Sequence, residues 1–211
     1  KIILLCSQFL ITIILIRTLE RESYGVIGVV AGYYAILLVL NLAIEPIILR
    51  DHKKYKNINK VMFDFTIFNI FKLFILLLCS TILAVILLSY YHNNDFIYSM
   101  GSIFVIVSLD SLVSPFIFYA STQYKQSLVT RISFRRMALN IILTLGLFYI
   151  PSLFNIPSLL YILYKDILIF IVGILLWKNT ATKSLNISYT GCSLSNIDIN
   201  FIKNSILNYS L

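Results

Sequence analysis

The stretch TIFNIFKLFILLLCSTILAVILL, residues 66–88, decides the fold. Its 23 residues carry a single charge, Lys72, and contain neither proline nor glycine. A helix rises about 1.5 Å per residue and the hydrocarbon core of a bilayer is about 30 Å thick, so about 20 apolar residues suffice to cross it. A barrel strand would alternate polar and apolar positions, and this stretch does not. Hydrocarbon offers no hydrogen-bond partner to bare backbone, which leaves the helix. The stretch reads as a membrane-spanning helix.

Working outward, similar apolar blocks occupy Val26–Leu49, Phe96–Ala120, Met137–Ile150 and Pro157–Trp177, with a slightly short block at Ile2–Ile16. Hydrophobic residues make up 59% of the 211 and charged residues 12%, where a soluble domain keeps roughly a quarter of its residues charged. The fold class is therefore all-α: a polytopic membrane bundle of about six transmembrane helices. Pro151 and Pro157 bracket an uncharged turn suited to a helical hairpin. The chain opens at Lys1 inside an apolar run, and Phe201–Leu211 reads as the start of another. Residues 1–177 are expected to form a six-helix lobe with a truncated first helix. Residues 178–211 are expected to form a cytoplasmic linker leading into a further helix of a longer protein.

The basic residues set the orientation. Arg50, Lys53, Lys54, Lys56, Lys60, Lys125, Arg131, Arg135, Arg136, Lys178, Lys183 and Lys203 fall in one set of connections. The opposite set holds only Arg17 and Arg21, beside Glu20 and Glu22. Lys/Arg-rich loops stay in the cytoplasm, so the loops around Lys53, Gln123–Arg136 and Lys178 are expected there and His92–Asp95 outside. The net charge of +8 then records topology and contact with anionic membrane lipids; no nucleic acid is needed to account for it. Cys6, Cys79 and Cys192 are widely spaced, and His52 and His92 stand alone. No metal site and no cofactor site is indicated.

Polar residues inside the apolar blocks carry the functional information. A charge at the bilayer centre costs roughly 2.5–3.5 kcal/mol on insertion scales, so such residues face a bundle interior or water. Glu45 and Asp64 lie near helix ends, where they can reach headgroups. Lys72, Asp110, Lys165 and Asp166 lie deeper, on three different helices, and are expected to line one polar cavity at similar depth, with buried structural pairs as the alternative. Adjacent helical positions point about 100° apart, so Lys165 and Asp166 are each expected to need a partner on another helix, or water. Gly28 and Gly32 form G-x-x-x-G, a spacing that lets a second helix approach closely, and packing inside the bundle is the expectation. Tyr24 suits the membrane interface, and Gly25 suits a sharp turn into the second helix.

The segment Arg17-Thr-Leu19-Glu-Arg-Glu-Ser-Tyr24-Gly25, followed by a span that closes on Ile48-Leu49-Arg50, resembles the polysaccharide-unit exporters. These belong to the multidrug/oligosaccharidyl-lipid/polysaccharide flippase superfamily. The order that follows is similar too: a basic loop, two helices, a polar-basic stretch, a hairpin and a linker. The resemblance implies one lobe of a two-lobed, MATE-like flippase in the bacterial cytoplasmic (inner) membrane. It would move undecaprenyl-diphosphate-linked oligosaccharide units, as for O-antigen or capsule, by alternating access and without enzymatic chemistry. A polysaccharide polymerase and a chain-length regulator are the implied partners. An ion-driven multidrug antiporter of the same superfamily is the alternative, with Asp110 as its acidic candidate. A membrane-embedded sugar polymerase or acyltransferase is a third reading, disfavoured by short outer turns and by the lack of any nucleophile–base set.

Overall fold

The computed structural model describes residues 2–37 and 58–187, with side chains from Gln8 onward. Among the described residues there are seven α-helices: α1 (Ile2–Thr18), α2 (Arg21–Leu37), α3 (Ile58–Tyr91), α4 (Asp95–Thr122), α5 (Gln126–Leu145), α6 (Ile150–Phe154) and α7 (Ser158–Ser184), with a 3-10 turn at Gly146–Phe148 after α5. The described residues contain no strand. Among the described residues three helices, α3, α4 and α7, are long and apolar enough to cross a membrane. At 34, 28 and 27 residues they run about 51, 42 and 41 Å.

Where they are described, the other expected spans are helical but differ from expectation in their limits. α5 begins at Gln126, eleven residues before the expected Met137, so most of the Gln123–Arg136 connection is helix. Lys, Arg and Gln are good helix formers, and a charge count cannot see the backbone. α7 likewise runs through Lys178 and Lys183 to Ser184. Its last turn is held by packing, because Ala181, Leu185 and Ile187 bury against Met62, Phe65 and Ala120. Arg50 and Glu45 lie outside the described residues.

α4 sits at the centre of the bundle and packs against α7, α3, α2 and α5. Small residues let its neighbours close in. The Leu163 side chain of α7 rests on Gly101, and Leu109 of α4 fills the place where Gly173 of α7 lacks a side chain. α2 buries Val26, Val30 and Tyr34, one stripe at four-residue spacing. Gly28 and Gly32 fall on the other side of α2 and meet nothing within 4 Å of a would-be Cβ. The G-x-x-x-G pair thus makes no packing contact among the described residues, because the branched and aromatic stripe has taken the bundle-facing side. Gly25 lies within α2 with no left-handed backbone. The chain turns earlier, at Leu19 and Glu20.

The described connections gather at two ends. Leu19, from the turn between α1 and α2, is buried in a cluster with Leu147, Leu159, Tyr161 and Ile162. Ser23 Oγ donates to Asp95 Oδ2 at 3.0 Å, tying the start of α2 to the start of α4. His92, with φ 51°, ends α3 there, and Asn155, left-handed at φ 53°, caps α6. At the other end Lys125 Nζ donates to the Ser184 carbonyl. The three connections expected to be poor in basic residues thus share one end, and Lys125 and Ser184 meet at the other.

Candidate polar cavity

A cavity of about 330 Å³ opens among α1, α2, α4, α5 and α7. That volume reaches the lower end of the range for small-molecule sites, about 300–1,000 Å³. Much of its wall is apolar, including Leu15, Ile27, Ile103, Leu109 and Ile162, and its polar groups come mainly from one face each of α4, α5 and α7. Ser99 and Ser102 are three residues apart on α4. Ser133, Arg136 and Asn140 repeat at helical spacing on α5. α7 supplies Lys165 and Asp166.

Lys165 and Asp166 are both buried, at 6% and 4% exposure. Lys165 Nζ lies 3.1 Å from Asp166 Oδ1, so the neighbouring side chains do meet, contrary to the expectation from their 100° separation. The four-carbon lysine stem has the reach to bend back to its neighbour. Each group also has a partner on another helix, as expected. Ser102 Oγ of α4 donates to Asp166 Oδ2, and Lys165 Nζ donates to Asn140 Oδ1 of α5 at 3.1 Å. An ammonium only donates, which fixes the amide oxygen of Asn140 toward Lys165. Thr144 Oγ1 then donates to the Asn140 backbone carbonyl at 2.6 Å. Three helices are joined through one neutral pair of charges. Removing one member of such a buried pair strands the other, at about 3–5 kcal/mol.

Ser99 Oγ, buried and without a hydrogen-bond partner among the described residues, lines the same space. Arg136 is 32% exposed, and its Nη2 lies 3.0 Å from Oδ1 of Asp110, which is 58% exposed. Asp110 therefore reaches the cavity wall only through Arg136, and it is absent from the lining itself. Lys72 does not join this site. It is buried on α3, 9% exposed, with Nζ 5.9 Å from the centre of the Phe68 ring. Of the four residues expected around one cavity, the fold unites Lys165 and Asp166, attaches Asp110 indirectly and sends Lys72 to the α3 side of the bundle. Asp64, expected to reach headgroups, is buried at 2% exposure.

Among the family-motif residues, Leu19 is buried in the core, Arg17 lies in the last turn of α1 and Tyr24 is 37% exposed. None of the three lines the cavity. Sequence reasoning missed Arg136, Asn140 and Ser102. In the sequence Arg136 reads as a loop cation because the apolar run starts at Met137. The Ser133, Arg136, Met137, Asn140 register was the signal that placed all four on one helical face.

The arrangement can solvate and orient a polar group, and it can exchange a counter-ion. Among the described residues no group of three or more His, Cys, Asp or Glu is gathered to hold a metal ion. Comparison with protein-family models, curated proteins and solved structures yields no match.

Proposed function

We propose that this chain is a helical lobe of a membrane transporter that moves a lipid-linked oligosaccharide across the bacterial cytoplasmic membrane. The observation carrying this reading is the Lys165–Asp166 pair, bonded to Ser102 and Asn140, on the wall of a 330 Å³ cavity. The same bundle contains three helices long and apolar enough to cross a bilayer. Charges at such positions are expensive and mark substrate or ion paths. The resemblance carried by Arg17–Gly25 implies the substrate class: a diphosphate joining an apolar tail to a sugar chain. A partly apolar cavity carrying a guanidinium suits such a molecule. Six spans, with the Lys125 end cytoplasmic, complete the proposal.

Deleting the gene should abolish surface polysaccharide and leave lipid-linked units on the cytoplasmic leaflet. Surface polysaccharide at the parental level after deletion would overturn the reading. The orientation is checked with a single cysteine at Tyr124, 94% exposed in the α4–α5 turn, in a chain lacking the native three. An impermeant thiol reagent should label it only after the cells are opened.

The buried Asp166 carboxylate favours a second reading, an ion-driven drug antiporter, in which a cation competes with Lys165 for that acid. Drug sensitivity of the deletion strain, with polysaccharide intact, would select it.

A further inference from the structure

Among the described residues two cations, Lys165 and Arg136, face the cavity, and their circumstances differ. Lys165 is 6% exposed and committed at 3.1 Å to Asp166 and at 3.1 Å to Asn140. Its charge is cancelled in place by a partner as buried as itself. Arg136 is five times as accessible, and its ion pair with Asp110 engages Nη2, one nitrogen of a planar fork with five donors. That fork matches phosphate geometry, which a point-charge ammonium does not.

The partner of Arg136 is also unusual for its place. Asp110 lies near the middle of α4, a 28-residue apolar helix, with 58% of its side chain exposed. A carboxylate turned into hydrocarbon at that depth is strongly disfavoured, so this face of the bundle meets water or a polar surface. An ion pair that meets water is weak. It holds the guanidinium at the cavity yet yields to a competing anion.

We infer that Arg136 is a binding site for a phosphate-class anion in the cavity wall and that Asp110 is its built-in competitor. Asp110 leaves the guanidinium when the anion arrives and re-pairs with it when the anion departs. Release then needs no separate trigger, because the vacated cation is neutralised at once. Lys165 and Asp166 shape the wall and take no part in the exchange. The inference deepens the transport reading by naming the groups that take and return the anionic part of the substrate.

The test is calorimetric titration of inorganic pyrophosphate into the full chain in phosphatidylcholine nanodiscs. Asp110→Asn should tighten binding about 2- to 5-fold, the effect of losing a half-exposed competing carboxylate. Arg136→Gln should abolish binding, and Arg136→Lys should weaken it while keeping the charge. Glu22→Gln, an equal change in net charge at the exposed start of α2, should leave affinity unchanged. Helix content by circular dichroism keeps misfolded variants out of the comparison. Repeating the titration with phosphatidylglycerol in the discs separates two sources of the same chemistry: binding that persists assigns the site to a diphosphate, and binding that is lost assigns it to a lipid phosphate. Binding unchanged in Arg136→Gln, unchanged or weaker in Asp110→Asn, or tightened equally by Glu22→Gln would overturn the inference. The titration involves no export, so its failure leaves the transport reading standing, and a failed export assay leaves the anion site standing.

Discussion

Two polar regions flank α4, and they differ in kind. On one side Lys165, Asp166, Ser102 and Asn140 join three helices around a cavity. On the other, Asn69 of α3, fully buried, donates Nδ2 to the Ser111 carbonyl of α4 at 2.8 Å. That carbonyl lies four residues before Pro115, which sits inside α4. Proline has no N–H, so the helix cannot satisfy Ser111 in the usual way. Asn69 supplies the missing donor, and Ser114 Oγ adds a second at 3.1 Å. The Asn69 region thus answers a debt of the backbone, in a place where lipid could not. The Lys165 region answers no backbone need, and its side chains satisfy one another beside open space. Burial of polar groups alone does not mark a site. What separates the two is whether the chain's own hydrogen bonding requires them.

The largest expected effect tests the charged side. Asp166→Ala leaves Lys165 buried without its counter-charge and should lower stability by about 3–5 kcal/mol, read as loss of folded protein in detergent by thermal unfolding. Lys165→Met with Asp166→Leu should restore folding, because buried pairs are replaceable by apolar groups of similar volume, yet should not restore export. Recovery of export in that double variant would make the pair as structural as Asn69.

The next effect sharpens the packing around α4. Gly173→Ala places a methyl 2.9 Å from both Leu109 methyl carbons. Leu109 must shift in a crowded cluster with Val113, Ile169 and Trp177, at about 1–3 kcal/mol. Unfolding temperatures read it directly. No change would show the α4–α7 contact to be looser than the geometry implies.

On the structural side, Asn69→Leu should cost about 1–2 kcal/mol by leaving the Ser111 carbonyl short of a donor, with transport by the folded fraction unchanged. In a Pro115→Ala background the helix recovers its own N–H, so the same Asn69→Leu change should cost less. Equal costs in both backgrounds would detach Asn69 from the proline.

The smallest effect lies at the turn end, where Ser23→Ala removes the 3.0 Å bond to Asp95. It should cost about 0.5–1.5 kcal/mol, and a loss several times larger would make that bond a structural keystone.

Helix identity was legible because hydrocarbon-length apolar runs admit few backbone solutions. Residues 66–88 already implied α3, and α4 and α7 were found to within a few residues at their first turns. The limits of α5 and the end of α7 were not legible, since the charge pattern that marks a loop also decorates a helix that leaves the apolar layer. The identities of Lys165 and Asp166 as buried charges were visible for the same reason as the helices, as polar letters in apolar words. Their partners were not. Ser102 lies 64 residues from Asp166 and Asn140 lies 25 from Lys165, and no local period links such positions. Lys72 and Arg136 show the same limit from both sides: one deep cation falls beyond the cavity and one loop cation falls on it. The sequence by itself determined which segments are helices and which residues are too polar for their surroundings, because those follow from local composition and transfer free energy. Only the tertiary structure decided which of those residues meet, because helix rotation about α4 is set by how Gly101, Leu109, Gly173 and their neighbours interlock.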